Sequence, residues 1–214
     1  MYMLDDKRYV FQQYGEDMSL TPELIEKNWQ KFRSLLEKTG ARAPQIMHMI
    51  DVLEERLCLC PASSRKDFHN AFPGGLVDHS LRVLGNAMRL QQAMGWKLSK
   101  ESLIIACLFH DLGKVGDVNN DYYVPQTEQW KVEKYGDEYT VNKDMDYMSV
   151  PDQSIFLMQH FGIQLSRDEM LAIKLNDGFV VEENRQYCLK EPLLAFVVMT
   201  ADYCATMQEK GAFP

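Results

Sequence analysis

A basic surplus is missing from this 214-residue chain: 23 lysines and arginines stand against 31 acidic residues, a net charge of −8. That balance argues against a surface that grips nucleic acid without regard to sequence, because such binding rests on cations neutralising phosphates. Long apolar runs are missing too. No stretch approaches the roughly 20 residues of a membrane span, and the opening "MYMLDDKRYVFQQYGED" lacks the basic start and apolar core of an export signal. A soluble, cytoplasmic protein is expected. Cysteines are few and odd in number, Cys58, Cys60, Cys107, Cys188 and Cys204, and only the first two are close, too close for the usual two-residue metal knuckle. They read as reduced thiols rather than a disulfide framework. Repeats, linkers and low-complexity stretches are absent. With 46% hydrophobic and 25% charged residues, the composition suits one globular domain spanning residues 1–214.

What is present is helical period. Thr21 and Pro22 open a helix carrying Ile25, Trp29, Phe32 and Leu36, with Gly40 as its stop. A second begins at Pro44, repeats the stripe with Ile46, Ile50, Leu53 and Leu57, and ends before Pro61. Gly74-Gly75 opens a third, to about Met94, which is apolar on two sides and so central: Val77, Leu81, Leu84 and Met88 on one line, Leu76, Val83 and Leu90 on another. Ser99 caps a fourth, whose line Leu103, Cys107, His110 turns the histidine inward, and Gly113 is expected to end it. Between Asp117 and Val141 the period fails. Aromatic and β-branched residues around Gly136-Asp137 point there to a loop and a short hairpin. Helices return at 151–161, at 166–175 with Ser166 and Glu169 as a capping box, and at 192–208.

Three inward-looking polar features sit on these apolar stripes: His79 in "GGLVDHSLRV", the pair His110-Asp111 in "LIIACLFHDLGK", and Asp202 in "LLAFVVMTADYCA". Taken singly, each has an ordinary explanation: His79 bonded to a backbone carbonyl, Asp111 capping the next turn, Asp202 paired with an arginine. Taken together, two imidazoles and two carboxylates from side-by-side helices could converge, and a divalent cation coordinating all four would offset their desolvation.

The order His79, then His110-Asp111 followed by Leu-Gly-Lys, then Asp202 far downstream resembles the HD-domain metal-dependent phosphohydrolases. The flanking residues of "GGLVDHSLRV" and "LFHDLGK" share the likeness, over roughly residues 68–207. The resemblance implies an all-α fold, an HD-type helical bundle with the small hairpin inserted after the His-Asp helix. The helices at about 21–60 lie outside it and could serve a homodimer contact. It further implies that His79, His110, Asp111 and Asp202 hold one divalent metal, for which manganese, iron, nickel, cobalt, zinc and magnesium all qualify. In the family that ion activates a water and helps hold a phosphate. A phosphoric ester hydrolase acting on a small phosphate ester, most readily a nucleotide, is the expected enzyme.

Around that core, Lys114 is the expected cation for a phosphate oxygen. Arg82, one turn beyond His79, either reaches the same anion or pairs with Asp78. His69, in the loop before the metal helix, could donate a proton to the leaving group, and Asp177 is expected to line the site. Relatives with two metals carry further histidines after the pair. Here Val150 and Asn176 stand at or near those places, which argues against a second ion, and His160 reads as a helix-end residue. Tyr122, Tyr123, Trp130 and Tyr135 could stack on a base, or simply pack the hairpin. Two alternatives come from other classes: a silent module that binds metal and nucleotide without turnover, and an oligonucleotide nuclease, which the acidic balance and the want of a basic run oppose.

Overall fold

The computed structural model describes residues 19–212; the amino-terminal segment examined above for an export signal lies outside them. Among the described residues no helix is long and apolar enough to cross a membrane. Eight α-helices carry the fold of the described residues. Helix α1 (Pro22–Leu36) starts where Thr21 Oγ1 accepts from Leu24 N, and it buries Trp29, Phe32 and Leu36, one face at helical spacing. Helix α2 (Ala43–Leu59) buries Ile46, Met49, Ile50, Leu53 and Leu57. Helix α3 (Gly75–Met94) lies at the centre, packed against both of these, against α4 (Lys100–Phe109) and against α8 (Leu193–Glu209). Its burial is two-sided, as the two apolar lines require. In α4 every residue from Leu103 to Phe109 is buried.

Gly113 does not stop α4. The α-helix ends at Phe109, and a 3-10 turn, Leu112–Val115, carries the chain onward. Glycine is needed at 113 for closeness instead: a Cβ there would stand 2.2 Å from Val150 O and 2.9 Å from Gln153 Cβ, so α6 (Val150–His160) could not pack on the turn. The contact is sealed where Gly113 N donates to Ser154 Oγ at 2.7 Å.

The insertion also differs from a plain hairpin. Strands β1 (Tyr123–Pro125) and β2 (Tyr139–Val141) pair antiparallel, Tyr123 opposite Val141, but a helix, α5 (Gln129–Tyr135), stands between them. Gly136, at φ +65°, closes that helix rather than turning a hairpin. None of the residues of α5 is buried, so it has no apolar stripe to betray it in the sequence. Helix α7 (Arg167–Lys174) shows the capping box of Ser166 and Glu169. Two 3-10 turns, Gly178–Val180 and Glu182–Tyr187, lead from it to α8.

Candidate metal centre

Helices α3, α4 and α8 pack against one another in all three pairs, and each brings a polar residue to their common side. His79 comes from α3, His110 from the cap just past the end of α4 with Asp111 next to it, and Asp202 from the middle of α8. Both histidine side chains are fully buried; Asp111 keeps 8% of its side-chain surface and Asp202 18%. From His79 Nε2, Asp202 Oδ1 lies at 3.0 Å and Asp111 Oδ2 at 4.0 Å. From His110 Nε2 the same two oxygens lie at 3.8 and 3.4 Å.

The other ring nitrogens fix the imidazoles. His110 Nδ1 donates to Cys107 O at 2.9 Å, and His79 Nδ1 donates to Glu209, 3.0 Å from Oε2 and 3.2 Å from Oε1. A carboxylate and a carbonyl can only accept, so both rings carry a proton on Nδ1 and turn Nε2, the nitrogen that would bind a cation, toward the gathered carboxylates. Both Nε2 atoms are buried without a well-aligned hydrogen bond. Donor atoms bonded to one ion at about 2.0–2.2 Å stand about 3.0–3.6 Å apart at ordinary coordination angles. Two of the observed spacings, 3.0 and 3.4 Å, fall in that range and two, 3.8 and 4.0 Å, lie just beyond it, so a small inward adjustment would let the four side chains share a divalent cation, which would also satisfy the two buried nitrogens. His79, His110 and Asp111 form a group able to hold a metal ion, and Asp202 joins them at the distances above.

Glu209 was not singled out by sequence reasoning. It lies seven residues after Asp202, about two turns along the same face of α8, and its side chain has no exposed surface. Burial lowers the basicity of His79, but Glu209 and Asp202 together outweigh it and raise the imidazole to about 10. Arg82 completes this side: Nε donates to Glu209 Oε1 at 3.1 Å and a terminal nitrogen reaches Asp78 at 3.3 Å. The Asp78 pair, one of its two expected roles, is present, and the rest of the guanidinium serves Glu209 on the Nδ1 side of His79, not the Nε2 side where a phosphate would meet the donors.

Lys114 Nζ donates to Asp111 Oδ2 and to Ala62 O, both at 2.6 Å. Burial disfavours its charge, but Asp111 beside it keeps the ammonium protonated and its pKa raised. An ammonium has three donors, so one remains for an incoming oxygen. His69 lies with its ring centroid 4.7 Å from that of His79, and its Nε2 is buried and unpartnered. Burial, and then the charges of His79 and Lys114, push its pKa down to about 3. It is neutral near pH 7. Asn176 is buried with Nδ2 3.4 Å from Asp111 Oδ1, and Asp177 follows, open to solvent on one side but crowded by protein on the other, its carboxyl pushed up by that partial desolvation and by Asp111. Val150 begins α6, and His48 and His160 are exposed elsewhere.

No curated protein and no solved structure matches the chain. A family model described as HD domain does match, over residues 76–207, more than half of the length and the stretch that holds all four gathered side chains. The chain belongs to the HD domain family, an all-helical family in which hydrolases that use a divalent metal are common.

Proposed function

We propose that this protein is a metal-dependent phosphohydrolase that cleaves the phosphate ester of a nucleotide, with His79, His110, Asp111 and Asp202 holding one divalent cation. The observation that carries the reading is the pair of buried Nε2 atoms gathered with two carboxylates, neither nitrogen satisfied by a well-aligned hydrogen bond. When bound, the cation supplies positive charge for phosphate oxygens and lowers the pKa of a water from 15.7 to roughly 7.

The protein's own groups do the rest. Lys114, held by Asp111 and Ala62, offers its remaining N–H to a non-bridging phosphate oxygen, so the charge that grows during transfer meets a fixed cation. Glu209 holds His79 in the tautomer and orientation a ligand needs, and Arg82 holds Glu209. His69, neutral at working pH, serves the leaving oxygen as an N–H hydrogen-bond donor rather than as a charged acid. Asn176, at the place where a second-metal histidine would stand, spends its amide on Asp111, which supports a one-metal site. Asp177 lines the rim.

The test combines elemental analysis with phosphate release from a panel of mononucleotides, triphosphates and dinucleotides. Wild-type protein is expected to carry about one divalent ion per chain and to release phosphate, and Asp111→Ala to lose both. Retention of the metal by folded Asp111→Ala would overturn the ligand assignment. Metal without phosphate release from any substrate would favour the silent binding module.

A further inference from the structure

We infer that the cleft between the loop before α3 and the strand-helix-strand insertion receives the base and ribose of the substrate, so that the insertion is the specificity element. The inference rests on the phosphohydrolase reading for which end of the ligand points to the metal centre, but the cleft's own chemistry selects the class. It measures about 550 Å³, inside the 300–1,000 Å³ range of small-molecule sites. Tyr122, Tyr139 and Tyr147 supply flat aromatic faces, while Gln126, Asn142 and Gln153 supply amides that both donate and accept. That combination suits a flat, polar-edged ring, which a nucleobase is and a sugar is not.

Charge does not oppose the same class. The chain as a whole is at −8, whereas the lining sets Arg65, Lys131 and Lys143 beside Asp137 and Asp146, with Arg65 paired to Asp67 and Asp137 and Lys131 to Glu128, so the cleft is close to neutral. A second cleft, about 460 Å³ between α1 and α2, is acidic: Glu26, Glu54 and Glu55 face a single Arg33. It does not suit a phosphate ester.

The first cleft is joined to the metal centre through shared backbone. Gln153 Nε2 donates at 3.1 Å to Gly116 O, two residues past Lys114. Ser64 O accepts from Tyr139 N at 3.1 Å, and Ser64 is two residues from Ala62, whose carbonyl holds Lys114 Nζ. Tyr122 lines the cleft, and its N donates at 3.4 Å to Val115 O, the residue after Lys114. In the inferred pose, a ligand lying here points its phosphate end along this backbone toward Lys114. Trp130 and Tyr135, by contrast, meet edge to face on the exposed side of α5, with ring centroids 5.9 Å apart, and take no part.

The experiment titrates the full-length, metal-loaded protein calorimetrically with adenosine, cytidine and ribose, none of which has a phosphate to lose. Both nucleosides are expected to bind, with ribose at least tenfold weaker, and Tyr122→Leu and Tyr139→Leu to weaken nucleoside binding about five- to hundredfold, the worth of one base-aromatic stack. Tyr147→Ala, at a site 90% exposed, gives the same readout should Tyr139→Leu fail to fold. Absence of nucleoside binding, ribose binding as tightly as adenosine, or folded tyrosine variants with wild-type affinity would each overturn the inference. Failure of the hydrolase reading looks different: nucleosides bind, and no nucleotide in the panel releases phosphate.

Discussion

The substitution Glu209→Gln removes one charge and almost no volume, and it separates a positioning role from a structural one. Both carboxylate oxygens face His79 Nδ1, at 3.0 and 3.2 Å, and Oε1 also accepts from Arg82 Nε at 3.1 Å. Glutamine keeps one acceptor but replaces the other with an NH₂ that cannot accept from Nδ1, and it loses the charge that makes His79 a stronger donor to a cation. Changes to hydrogen-bond partners of this kind cost 10–100-fold in metal affinity, about 1.4–2.8 kcal/mol at 1.4 kcal/mol per decade. A stability cost accompanies it. Hydrogen bonds to charged groups contribute about 1.5–3 kcal/mol, and Arg82, which is 31% exposed and keeps Asp78, places the loss at the low end. The assay is competition for Mn²⁺ or Co²⁺ against a chelator of known affinity, with urea unfolding alongside. We expect affinity to fall 10–100-fold, and saturating metal to restore both occupancy and phosphate release, because the four ligands remain. A folded Glu209→Gln protein with metal affinity within twofold of wild type would refute the reasoning.

Two further predictions concern the frame around the site. Gly113→Ala places a carbon 2.2 Å from Val150 O, backbone against backbone, and should destabilise the protein by about 3 kcal/mol in urea titrations; a change under about 0.5 kcal/mol would show that the turn can move away from α6. In the first turn of α7, burial raises the Glu169 carboxyl, but the hydrogen bond from Arg42 outweighs it and brings the pKa to about 2 from an ordinary 4.5. A depressed folded value stabilises above pH 4.5 and loses that contribution as pH falls toward 2, about 3 kcal/mol in all. Unfolding free energies of wild type and Arg42→Gln should therefore converge between pH 5 and 2; a constant gap would refute the linkage.

Much of the frame was legible because local and tertiary demands agree. Thr21-Pro22 caps and starts α1, Ser166 and Glu169 cap α7, and the two apolar lines of α3 announce a helix with neighbours on both sides. Legibility failed where tertiary packing decides. Helix α5 has no buried face, so its residues give no period, and Gly136 in a hairpin turn and Gly136 ending a helix look alike in sequence. Gly113 reads as a helix stop because glycine commonly is one, whereas its reason is a helix 37 residues later in the chain pressing on the same turn.

The site divides along the same line. His79, His110 with Asp111 beside it, and Asp202 stood out because they interrupt apolar stripes, and a polar residue on an inward face needs a partner; the resemblance to the HD-domain hydrolases, not the stripes, marked them as metal ligands. Glu209 interrupts nothing: near the end of α8, beside Lys210 and Gly211, a glutamate looks like a solvated terminus. Only the packing of α8 along α3 brings it to His79 and buries it. Arg82 follows the same logic, since its anion is neither the neighbour four residues back alone nor a ligand, but a carboxylate 127 positions away. Sequence thus exposes the donors that would touch the ion, because their burial conflicts with their polarity, and conceals the groups that orient those donors, because their surroundings exist only once α3, α4 and α8 have docked.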